Sequence, residues 1–221
     1  MRTAVKPNFF LHCAIMLKIT FFLMGSWPVV GYVEWSGGDA ASLASQALAY
    51  GRATGTIPSA APDPIPLSAD RHFSNDLSVG FSYTTESKIV FNLEYHLHEA
   101  GFSDADWRNW FHTGAAKTAP LDAELWYIRG YAADQQVPLA RNGVFVRANW
   151  QDAFVRDLEL TGFVNADMRD GSGLAKATAD YYLSRSWTLG VLASGTFGAR
   201  RSDFGSLPGE ATLLFKVSRY L

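Results

Sequence analysis

The chain has 221 residues, of which 48% are hydrophobic and only 18% charged, and its net charge is −2. That length suffices for one sizeable domain or one barrel, and the charged fraction lies below the roughly 25% of an ordinary soluble domain. The near-neutral balance points away from nucleic acid as a partner, and a mean hydropathy of −0.02 argues against a bundle of membrane helices, each needing about 20 apolar residues.

Residues 1–28 open with Arg2 and Lys6, then run FFLHCAIML, Lys18 and ITFFLMGSW. A basic start before an apolar stretch is signal-like. His12 and Lys18 interrupt the run, so a non-native leader segment and a helical anchor are the competing readings. The single cysteine, Cys13, lies here, which leaves the rest of the chain without a disulfide framework or a cysteine metal site.

Residues 29–221 form the predicted β-region, beginning with a strand at 29–35. The first long linker, 36–71, holds a helix-compatible stretch with Asp39 as its expected N-cap, followed by the Pro-rich IPSAAPDPIPLSAD. Strict alternation then marks 77–83 (LSVGFSY) and 89–98 (IVFNLEYHLH), joined by a TTESK turn into a hairpin. The second long linker, 99–121, contains SDADWRNWF, where Ser103 is expected to cap a short helix bearing Trp107, Trp110 and Phe111 on one side. These aromatics are expected to rest at a membrane interface, as Trp-rich amphipathic stretches commonly do.

A ninth strand is assigned to 122–133, with the others at 143–150, 158–168, 175–183, 187–197 and 211–221. DGSG at 170–173 is a strong hairpin turn. Segments of about 9–11 residues fit tilted bilayer-crossing strands better than the five or six residues of an average soluble one. Aromatics near the predicted strand ends, among them Trp126, Trp150, Trp187 and Tyr220, match interfacial girdles. A soluble β-sandwich or lipocalin-like barrel predicts shorter strands and no girdles. Counted back from the last strand, both helix-bearing linkers are expected on the periplasmic side, opposite the 199–209 loop.

The fold class is therefore all-β, an antiparallel transmembrane β-barrel of about 8–10 strands with short helices in long linkers. By alternation Glu94, His96, Arg147, Glu159, Asp167, Lys176, Asp180 and Lys216 share the polar face and are the candidate lumen-lining residues. Glu94, His96 and His98 form an E-x-H-x-H series that could ligate a transition metal. Asn92 on the same face makes a polar wall the preferred account, so no metal is assigned. P-loop, GxGxxG, GxSxG and HExxH motifs are all missing. No catalytic residue, enzyme activity or cofactor is expected.

The terminal strand LLFKVSRYL, with its penultimate Tyr220, and the Trp/Tyr-rich hairpins before it carry a resemblance. The chain resembles, over about residues 30–221, the C-terminal portion of a porin-like Gram-negative outer-membrane β-barrel. The resemblance implies surrounding outer-membrane lipid and insertion by the barrel-assembly machinery. The expected role is passage of small solutes through a polar lumen. A non-conducting scaffold barrel that docks a periplasmic partner and a secreted soluble ligand-binding β-protein are the alternatives.

Overall fold

A computed structural model describes residues 15–22, 29–67, 71–116, 121–209 and 211–220. Its framework is one antiparallel sheet of nine strands in simple sequence order. The strands are β1 (Ile15–Phe22), β2 (Val29–Ala40), β3 (His72–Thr84), β4 (Ile89–His98), β5 (Asn142–Trp150), β6 (Leu158–Asp167), β7 (Gly173–Ser184), β8 (Trp187–Phe197) and β9 (Ala211–Arg219). Each pairs only with its neighbours in the chain, and among the described residues β1 and β9 each keep one unpaired edge, so the sheet is open.

Three helices are inserted into this meander: α1 (Leu43–Thr54), α2 (Asp104–Ala116) and α3 (Leu121–Asp134). Ser42 rather than Asp39 caps α1; its Oγ accepts from the Ser45 backbone N–H at 3.3 Å, while Asp39 still belongs to β2. Gly55 ends α1 with φ at 77°, where a side chain would be strained. The expected cap of α2 is present: Ser103 Oγ accepts from Asp106 N–H at 3.2 Å, and the Asp106 carboxylate accepts from Ser103 N–H at 2.8 Å. This reciprocal arrangement satisfies donors that a helix start otherwise leaves unmet.

Residues 122–133 are not a strand but most of α3. Leu125, Ile128 and Ala132 recur at helical spacing and are buried on its inner side. The sheet still has nine strands because Ile15–Phe22 pairs with β2 along its whole length, so these eight residues are extended rather than helical. The rest of the 1–28 segment, Cys13 included, lies outside the described residues.

The hydrophobic core belongs to the helices. It gathers Leu43, Ala47 and Leu48 of α1, Ile57 and Ile65 of the Pro-rich segment, Trp107 and Trp110 of α2, Leu125 and Ile128 of α3, and Phe102. Trp107 is 1% and Trp110 5% exposed, which corrects their expected interfacial placement: they pack edge-on against Phe102 inside this core. By contrast, no large apolar side chain of β2–β9 is fully buried.

The helices also sit at a different end of the sheet from the one expected. They follow β2 and β4, as the 198–209 loop follows β8, so all three connections leave the same end. Arg129 of α3 reaches that loop directly, donating to the Asp203 backbone carbonyl at 3.1 Å. The short turns at 85–88, 151–157 and 185–186, and Tyr220 just after β9, lie at the other end. An antiparallel meander alternates ends at every connection, and taking 122–133 as a strand adds one alternation too many between β4 and β5, where the chain instead forms α3.

Candidate functional site

Register turns β2–β9 into two surfaces of opposite character. Phe81, Leu93, Val146, Val164, Ala175, Gly195 and Ala211 form one continuous row across the strands. The next rows on the same face read Phe91–Ala148–Gly162–Ala177–Ala193–Leu213 and Ile89–Trp150–Leu160–Ala179–Val191–Phe215. These central rows contain no charged residue. Phe81, Leu93, Val146, Val164, Leu189 and Val217 are all exposed, and Phe215 is 72% exposed. On β2–β9 only Asp39 and Arg219, each near a strand end, break the pattern of charge on this face.

The other face carries the charges. By register it holds Glu94, His96, Arg147, Glu159, Asp167, Lys176, Asp180 and Lys216, as the alternation predicted. They fall into separate groups. On β2–β4 the Tyr32 hydroxyl donates to Glu94, Glu94 pairs with His96, and Asp76 pairs with His98. Val137 and Pro138 line, together with this group, a concavity of about 340 Å³. Gly80 makes room for Tyr32: a Cβ there would lie 2.6 Å from the phenol ring.

On β5–β7, Glu159 accepts from Asn149 Nδ2 at 2.6 Å and from the Tyr182 hydroxyl at 3.1 Å. Asp180 lies directly across from Glu159, and Gly190 separates it from Lys216. Arg147 and Lys176 stand further along, on either side of Phe163. Sequence reasoning did not single out Tyr32, Asn149 or Tyr182, although each falls on the polar face by the same alternation.

Asp167 departs from the expected lining role. It is fully buried at the end of β6, where its carboxylate accepts from Arg169 N–H at 2.8 Å and faces the Arg169 guanidinium at 3.3 Å. This is part of a joint beneath the helices. Arg129 pairs with Asp203 at 2.9 Å and lies within about 6 Å of the Trp107, Trp110 and Trp126 ring centres. The Arg169 guanidinium sits 4.7 Å from the Trp107 ring centre. Burial pushes the Asp203 carboxyl up to about 6, against the opposing pull of Arg129. The chemistry of the joint is structural: aromatic faces and paired carboxylates hold two guanidiniums that a protein interior otherwise penalises.

Of the remaining interfacial candidates, Trp126 is exposed on α3 rather than at a strand end. Trp150 and Trp187 do lie at strand ends at the short-turn side, and Tyr220 follows β9 there. Trp150 packs against Phe154 at 4.6 Å, and Arg219 reaches over Trp187 at 5.5 Å. Among the described residues no three His, Cys, Asp or Glu side chains are arranged to hold a metal. No helix there is long and apolar enough to cross a membrane. No family model, curated protein or solved structure matches the chain.

Proposed function

We propose that the chain forms the wall of an outer-membrane β-barrel, its apolar face toward lipid and its polar face toward a hydrated interior that passes small solutes. One observation carries this reading. Across β3–β9 the sheet leaves an apolar face bare whose central rows carry no charge, while the molecule's hydrophobic core is assembled elsewhere, from the helices. In water a contiguous apolar patch of that extent is a liability; in a bilayer it is the required surface. Strands of 8–13 residues are long enough to cross at a tilt. Closure would join the free edge of β9 to β1 or to a strand of another chain. Short turns of such barrels face the periplasm, so the three helices would roof the outer mouth.

Two measurements test the proposal. Heat-modifiable electrophoretic migration and dependence on detergent are expected of a membrane barrel; a monodisperse protein in plain buffer overturns it. Stepwise conductance in a planar bilayer is expected of a solute path. Heat-modifiable protein without conductance at high load would instead favour the non-conducting scaffold, a reading that the mutual pairing of Tyr32, Glu94 and His96 supports.

A further inference from the structure

On the polar face a concavity of about 410 Å³ opens over β5, β6 and β7, lined by Phe145, Arg147, Thr161, Phe163, Lys176 and Thr178. Its layout follows from register. Arg147 lies across from Phe163 and Phe163 across from Lys176, while Thr161 and Thr178 form the adjacent row. The two cations thus flank β6 with backbones about 10 Å apart, two strand spacings. Hydroxyls lie beside them and aromatic rings between them.

Neither cation has a carboxylate within ion-pair distance among the described residues. The acids of this face are engaged elsewhere or remote. Glu94 is held by Tyr32 and His96, and Glu159 by Asn149 and Tyr182. The Glu159–Asp180 row lies four residues along the strands from the Phe163–Lys176 row, roughly 13 Å away at the rise of an extended chain. The Lys176 ammonium instead hangs 6.0 Å from the Phe163 ring centre, and the Phe145 and Phe163 rings stand 5.5 Å apart as an apolar floor.

We propose that this concavity binds an organic anion, a carboxylate or phosphate ester carried on a flat apolar body. Arg147 supplies a planar fork that matches two oxygens at once, and Lys176 a compact second charge. The threonine hydroxyls donate to the remaining lone pairs, and the phenylalanine rings take the apolar body. The site deepens the solute-passage reading by naming a class of solute, yet it requires only that the polar face meet water.

The test is a titration of the detergent-solubilised full chain, followed by calorimetry or NMR. The probes are benzoate, phenyl phosphate, inorganic phosphate and benzylammonium. Saturable binding of benzoate or phenyl phosphate is expected, weakened at least tenfold in Arg147→Gln and Lys176→Gln and only partly restored by Arg147→Lys. Arg156→Gln, on a 90% exposed side chain of the β5–β6 turn, should leave binding unchanged. Thr161→Val, nearly isosteric, provides a second arm should the charge variants fail to fold, and should weaken binding severalfold. Equal binding by wild type and the pocket variants overturns the proposal, as does benzylammonium binding as tightly as benzoate. Inorganic phosphate binding as tightly as phenyl phosphate would overturn the apolar floor. Because no bilayer is involved, a missing conductance and a missing anion site are separate results.

Discussion

Arg129 and Asp203, 74 residues apart in the chain, meet at 2.9 Å and lock α3 onto the loop that precedes β9. Both side chains are largely buried. Removing one partner strands the other without water or counter-charge, which typically costs about 3–5 kcal/mol. Arg129→Met should therefore free the 198–209 loop before the sheet melts. Limited trypsin digestion reads this directly, because exposed Arg200 and Arg201 lie in that loop. Faster cleavage there than in wild type is expected; equal rates would show that the pair does not hold the loop.

The same pair sets a pH dependence. The Asp203 carboxyl rises from 3.8 to about 6 in the folded protein because burial disfavours its charge. The folded state thus holds a proton that the unfolded chain releases, so stability increases as pH falls from above 6 toward 3.8. A shift of about two units corresponds to at most about 3 kcal/mol. Melting of the helical region, followed by near-UV circular dichroism, should move upward between pH 7.5 and pH 5. Asp203→Asn should flatten that slope.

Glu124 makes a second, independent case. It is buried on α3, neither carboxylate oxygen has a hydrogen-bond partner within the protein, and burial raises its pKa above 4.5. Glu124→Gln removes a buried charge that Arg52 offsets only in part, while keeping the shape. The melting temperature at pH 7.5 should rise, and the gain should shrink toward pH 4, where the native carboxyl is protonated. A variant less stable than wild type at pH 7.5 would mean that the charge has a stabilising partner.

Gly198 is placed under a double constraint. Its φ of 134° is a conformation that side chains rarely adopt, and a Cβ there would lie 2.4 Å from the Ser172 Cβ and 2.6 Å from the Ser202 hydroxyl. Gly198→Ala should destabilise the joint between the β6–β7 turn and the β8–β9 loop by about 1–3 kcal/mol. Gly171, whose φ is 67° but whose Cβ would meet open space, offers the comparison. Denaturant unfolding of the two alanine variants should separate strain from collision, with the larger loss at Gly198.

Val164 and Asn165 are neighbours in β6 that point to opposite faces. If lipid covers the apolar face, Val164→Lys costs about 2–4 kcal/mol near the bilayer midplane, whereas Asn165→Lys on the wet face is tolerated. Urea unfolding in lipid vesicles measures the difference. Equal effects would argue that neither face meets hydrocarbon.

Much of the sheet was legible because period-two patterns survive wherever the two faces differ: 89–98 and 187–197 match β4 and β8 residue for residue. The misreading of 122–133 has a physical cause. Trp126, Tyr127, Ile128 and Tyr131 favour strands, but Leu125, Ile128 and Ala132 bury one helical stripe, and that tertiary packing outweighs intrinsic preference. The polar face followed from parity alone. Alternation says which way a side chain points but not which strand lies beside it, so the pairings of Glu94 with Tyr32 and of Glu159 with Tyr182 could not be read. The joint at Arg129 was equally hidden, since it joins two connections with no periodicity of their own.

Among the described residues each strand pairs only with its chain neighbours, which gives this open sheet the energetics of a one-dimensional array. Each hairpin depends on the one before it, and a perturbation should fade within a strand or two. Such a chain can zip up strand by strand as it emerges. It can also be severed at the 151–157 turn into two pieces, each with one exposed ladder complementary to the other. Co-expressed halves split there would be expected to find each other through β5 and β6, with the clasp from α3 to the last loop reinforcing the rejoined product.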